Sequence, residues 1–136
     1  MKSAITICLV PEAQQGPFVF HDGIDAGCRA AARAGFDAVE IFPSSAEEFP
    51  ASELPSLLKN HSLGVAAVGT GAGWLKHRLS LTSRDCDKRA QAIQFISALI
   101  DTAGEYNAPA IIGSMQGQNT DTTKRAEALQ HLAEGL

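Results

Sequence analysis

The stretch "AGFDAVEIFP" (residues 34–43) packs a helix end, a turn and a strand into consecutive positions. The alanine-rich "IDAGCRAAARAGF" leading into it is helix-forming. Gly35 stands where a helix C-terminus uses a residue able to adopt φ > 0. The following "DAVEIFP" predicts a strand over 37–42, ended by Pro43 and the Ser44–Ser45 pair. A helix that turns directly into a buried strand is the repeating half of an alternating α/β chain.

Working outward, the same alternation continues. "AITICLV" (4–10) reads as a first strand, and "PEAQQGPFVFHDG" as the loop after it, punctuated by Pro and Gly. On the other side, "ASELPSLLKNHSL" predicts a short helix with Pro55 in its first turn, where its missing N–H is not needed. "GVAAVGTG" gives a third strand over 65–68, followed by a glycine loop in which no helix begins at once. Ser83 is placed to cap a helix over 85–106. Ala92, Ile93, Ile96, Leu99, Ile100 and Ala103 recur on it at three- and four-residue spacing, the pattern of one buried face. "APAIIGS" supplies a fourth strand, and a fourth helix begins near Asp121 and is still running at Leu136. The order is βαβαβαβα, with no linker or low-complexity segment, so residues 1–136 read as one domain. Strands with continuous apolar runs are buried on both faces and, joined by helices, run parallel. Four units fall short of the five or six strands of an open doubly wound sheet and the eight of a closed barrel. They would leave two apolar edges bare. The pattern therefore looks like half of something larger.

Composition narrows the function classes. The chain has 136 residues, 45% of them hydrophobic and 19% charged, which is ordinary for a folded α/β protein. The net charge of -4 and the lack of any Lys/Arg-rich run argue against nucleic acid as a partner. No apolar run approaches the roughly 20 residues of a membrane span, and the N-terminus lacks the long apolar region and cleavage site of a signal peptide. Cys8, Cys28 and Cys86 are odd in number and form no C-x-x-C pair, which reads as incidental thiols in a reducing cytoplasm.

In parallel α/β folds ligands meet the C-terminal ends of the strands. The loop after strand one offers Gln14, Gln15, His21 and Asp22 between Phe18 and Phe20, which wall a small-molecule pocket or plug the loop. Glu40 lies inside the apolar "VEIF". A carboxylate there needs a salt-bridge partner on a neighbouring strand, a metal or a ligand hydroxyl. "GTGAGWLKHRLSL" brings Gly69, Gly71 and Gly73 for close backbone approach, Trp74 for stacking on a sugar face, and His77 and Arg78 for hydroxyl, carboxylate or phosphate. It is neither a dinucleotide fingerprint nor a Walker loop. "GSMQGQ" adds Ser114, Gln116 and Gln118, neutral groups suited to polyol hydroxyls, with Met115 as core or pocket wall. No Ser-His-Asp set and no His pair at metal-ligand spacing is present, and His61 and His131 are expected to be solvated.

"AGFDAVEIFP", "LGVAAVGTG" and the run from Leu79 through Gln118, "LSLTSRDCDKRAQAIQFISALIDTAGEYNAPAIIGSMQGQ", together resemble the N-terminal half of the sugar phosphate isomerase/epimerase family, the xylose isomerase-like TIM barrels. The resemblance implies a (β/α)₄ half of a (β/α)₈ barrel. In the full-length family a divalent metal, Mn²⁺ or Mg²⁺, sits in the mouth, and two carboxylates move a proton between carbons of a keto-sugar. Glu40 matches the strand-two Glu that lines the family's pocket, and the Trp74–His77 loop matches the strand-three loop near the sugar. The substrate-binding set implied is Glu40, Trp74, His77, Gln116 and His21. The family's metal ligands and catalytic carboxylates lie on strands five to eight, so none is assigned in these residues, and the isolated chain is expected to be inactive. The alternative is a non-catalytic half-barrel module that forms a homodimer through its open sheet edges. A small flavodoxin-like ligand-binding domain is a weaker third reading.

Overall fold

The computed structural model describes residues 2–118 and 124–136. Four parallel strands, β1 (Ala4–Cys8), β2 (Ala38–Phe42), β3 (Gly64–Gly69) and β4 (Ala110–Ile111), lie in the order β1-β2-β3-β4. The helices are α1 (Ile24–Arg33), α2 (Leu54–His61), α3 (Ala72–His77), α4 (Cys86–Glu105) and α5 (Arg125–Gly135). Single 3₁₀ turns stand at Pro11–Ala13 and Ser114–Gln116.

Sequential neighbours joined by right-handed crossovers place the connecting helices on one face of the sheet. The side chains follow that rule. Ile7, Val39, Ile41 and Val68 point to the helices and form one core with Ile24, Cys28, Ala31, Leu54, Leu99 and Ala103. Strand side chains alternate, so Thr6, Cys8, Glu40, Phe42 and Gly69 lie on the opposite, inner face. A barrel-like half sheet results, as the alternation predicts. Gly35 takes φ +83° just past α1, and Pro55 lies in the first turn of α2, both as the sequence indicates.

Four local expectations are corrected. A helix does begin at once after the β3 glycines. Ala72 is fully buried and Gly73 lies against Met115 and Phe95, so packing holds α3 where the glycine-rich sequence has little helix propensity. The cap of α4 is Asp85, whose carboxylate accepts from the amides of Asp87 (2.9 Å) and Lys88 (3.4 Å); Ser83 instead accepts from the amide of Asp85. On α4, Ala92, Ile96, Leu99 and Ala103 are buried, while Ile93 and Ile100 flank the stripe and stay 40% and 49% exposed. The fourth strand shrinks to Ala110–Ile111, because Asn107 takes φ +53° and Pro109 has no N–H for a ladder. The expected helix start near Asp121 lies outside the described residues.

Candidate functional site

The strand C-termini are closed by a second apolar cluster of Cys8, Val10, Ala13, Phe42 and Ala72, with Phe18 and Leu75 packed on it. Glu40 sits one rung below. It pairs in register with Thr6 on one side and Ala67 on the other. Its carboxyl is half-buried; burial raises its pKa, and a hydrogen bond with the Thr6 side chain opposes the rise. Among the described residues Glu40 enters no ion pair, so the neighbouring-strand salt bridge is not what satisfies it. Thr6 is a site residue that only the strand pairing reveals; its one local signal is a hydroxyl within the apolar "AITIC".

Gly69 lies beside both Phe42 and this carboxylate. A methyl built on Gly69 would lie 2.8 Å from Phe42 Cδ2 and 3.6 Å from a Glu40 oxygen. One built on Gly71 would lie 3.2 Å from both Phe42 Cζ and Ser114 Oγ. The bare backbone after β3 therefore seats the Phe42 ring, with Phe18 5.1 Å away from it and Ser114 at its edge. These glycines make room for a side chain of the chain itself.

The other sequence candidates distribute over separate surfaces. His21 and Gln14 line a cleft of about 160 Å³ at the end of β1, with Cys8, Leu9, Val10, Pro11 and Gly23. His21 Nε2 lies 2.9 Å from the Phe18 carbonyl. A carbonyl only accepts, so Nε2 is the donor, while Nδ1 is buried without a hydrogen-bond partner among the described residues. Trp74 packs on the Leu79, Leu81, Ala92, Ile96 and Met115 cluster, with the Arg78 guanidinium 5.3 Å from its ring centre. His77 is exposed, its ring 6.4 Å from that of Phe95, in a groove between Ala46, Glu47 and α4. Gln116 ends the second 3₁₀ turn and borders an apolar hollow of about 300 Å³ beside Ile111, Ile112, Leu132 and Leu136. The fold thus brings Glu40, Thr6, Phe42, Gly69 and Ser114 together; His21, Trp74, His77 and Gln116 stand around them without sharing a cavity. His131, expected to be solvated, is part-buried between Glu127 (3.8 Å) and Glu134 (3.5 Å) of its own helix.

A divalent metal finds no ready site here. Among the described residues one group of three candidate ligands converges, Asp85, Cys86 and Asp87. It is exposed, and the Asp85 carboxylate is already engaged in capping α4. Cys8 and Cys28 are buried and Cys86 exposed, all three as free thiols; burial pushes the Cys28 thiol up to about 11. Among the described residues no helix is long and apolar enough to cross a membrane.

Solved structures share this architecture. The 3-keto-D-glucoside 4-epimerase from E. coli superposes with a TM-score of 0.67 at 14% identity, over 99% of this chain and 49% of that one. A D-psicose 3-epimerase solved in the presence of D-fructose gives 0.66 at 17% identity, over 99% and 46%. The D-allulose 3-epimerase from Methylomonas sp. gives 0.59 at 20% identity, over 99% and 48%. This chain spans about half the length of each, and at these identities the likeness is one of fold. A search of curated proteins finds no match. The model of the xylose isomerase-like TIM barrel family matches residues 28–136, most of the sequence, and the chain belongs to that family.

Proposed function

We propose that this chain is the N-terminal, sugar-binding half of an isomerase/epimerase barrel, and that proton transfer on a keto-sugar requires residues beyond these 136. The observation that carries the reading is Glu40: a half-buried carboxylate on the inner face with a Thr6 hydroxyl beside it and no cation among the described residues. A sugar hydroxyl donating to that carboxylate would satisfy it. His21, whose Nδ1 is sealed from solvent, borders the β1 side and the Gln116 amide the β4 side, each in a hollow of its own. Trp74, packed on the Met115 cluster, and His77, in the groove beside α4, lie on other surfaces. Epimerase structures of the same fold and twice the length support the reading.

A divalent metal would polarise carbonyl and hydroxyl oxygens in the complete barrel. The mouth residues described here do not form a ligand set for it, so no step of the reaction is routed through these side chains. Buried free thiols suit a reducing compartment such as the cytoplasm. A second reading, an interaction module that forms a homodimer through open edges, draws on the β4 side, where Ile111 is 43% and Leu136 77% exposed.

The test incubates the repurified chain with Mn²⁺ and either D-fructose or D-allulose, and measures binding in parallel. The expected result is no epimer above the blank, and weak binding that Glu40→Gln weakens about tenfold, the loss of one charged hydrogen bond. Turnover that persists through repurification, or binding indifferent to Glu40→Gln, overturns the proposal.

A further inference from the structure

The two edges of the sheet differ in a way the sugar site does not explain. On β1 the Leu9 amide donates to the Phe42 carbonyl, so odd-numbered residues face β2 and Ala4, Thr6 and Cys8 present their amides to the free edge. That edge is not wholly free. Phe20 returns from the loop to form a parallel bridge with Ile7, and the Cys8 amide donates to the Phe20 carbonyl at 2.9 Å. The side chains of the returning segment anchor it at two points, the Phe20 ring on the main core and the Phe18 ring on Phe42, while His21 Nε2 and the Phe18 carbonyl close a turn within it.

The capped position is a particular one. Register runs from Ile7 to Ile41, to Val68, to Ala110, and the two-residue β4 begins on that same rung. A second copy that continued the rung by laying its β4 against β1 would need the place that Phe20 occupies. We infer that residues 18–21 are a strap that closes the upper part of the β1 edge, so that copies of this chain cannot add head to tail and only a parallel strand pairing at Ala4 and Thr6 can enter there. Sheets commonly protect exposed edges by covering them with a loop. Here the cover is confined to the rung at which the opposite edge is open.

Amide hydrogen exchange and light scattering on the chain test this, with Phe20→Gly and Phe20→Leu for comparison. In the unaltered chain the Cys8 amide is expected to exchange at least about tenfold more slowly than those of Ala4 and Thr6, which lack the strap. Phe20→Gly, with the anchor lost, should bring Cys8 to the Thr6 rate and let mass grow with concentration beyond a dimer. Phe20→Leu should keep both the protection and the mass of the unaltered chain. Equal exchange at Cys8 and Thr6 in the unaltered chain overturns the inference, as does a folded Phe20→Gly variant with unchanged exchange and mass. If Phe20→Gly does not fold, the exchange pattern of the unaltered chain and the Phe20→Leu result decide.

Discussion

Glu40 holds its proton more tightly in the folded chain than in the unfolded one, because burial disfavours the carboxylate more than Thr6 supports it. The unaltered chain is therefore most stable relative to Glu40→Gln below the ordinary carboxyl value of 4.5, and it loses that advantage as pH rises through the raised folded value. Urea unfolding of both proteins from pH 4 to pH 8 should show the gap closing or reversing with rising pH; a gap that widens in favour of the unaltered chain would mean the carboxylate has a stabilising partner. Gly69 is a second sensitive position. A methyl 2.8 Å from Phe42 Cδ2 forces the ring to move, and Gly69→Ala should cost about 1–3 kcal/mol, less in a Phe42→Leu background. Thiol labelling should find Cys86 reacting rapidly, with Cys8 and Cys28 reacting only on unfolding. Glu40 was legible in the sequence because an acid in an apolar strand is conspicuous. Thr6 and Phe42 were not, because their importance depends on which strand lies beside which, and no local pattern states that.

Among the elements, the strands and long helices follow from hydrophobic runs and breakers, and the sequence locates them within a few residues. Elements held by packing alone are the ones it misses. The six-residue α3 has glycines at its start and no side-chain cap, and exists because Ala72 and Gly73 fit under Phe42, Met115 and Phe95. The parallel bridge of Phe20 has no sequence signature at all, since one residue pairing at an edge leaves no alternation to read. Several polar residues in a row before α4, Ser83 and Asp85 among them, can each cap it, and geometry selects Asp85. Asp85→Ala should therefore cost about 1 kcal/mol and Ser83→Ala much less, as chemical denaturation of each variant would show. Equal losses would return the cap to Ser83.

For the whole molecule, one sheet covered by helices on one face leaves an inner face that carries Glu40, and a β4 edge that carries Ile111 and Ile112. Sequential strand order separates this arrangement from a doubly wound fold, whose order reverses at the switch point. Order of that kind came from the family resemblance and not from periodicity, which counts strands but does not arrange them. The strand C-termini, on the proposal above, form a sugar-binding half-site that does not turn its ligand over. The most direct test is amide-resolved NMR of the chain titrated with D-allulose in the presence of Mg²⁺, with the sugar assayed afterwards. Saturable shifts gathered at Thr6, Glu40, Phe42, Gly71 and Ser114 are expected, with the sugar recovered unchanged. Shifts confined to the opposite end of the sheet, around Lys2, Asp37 and Ser62, would contradict it, as would an epimerised sugar.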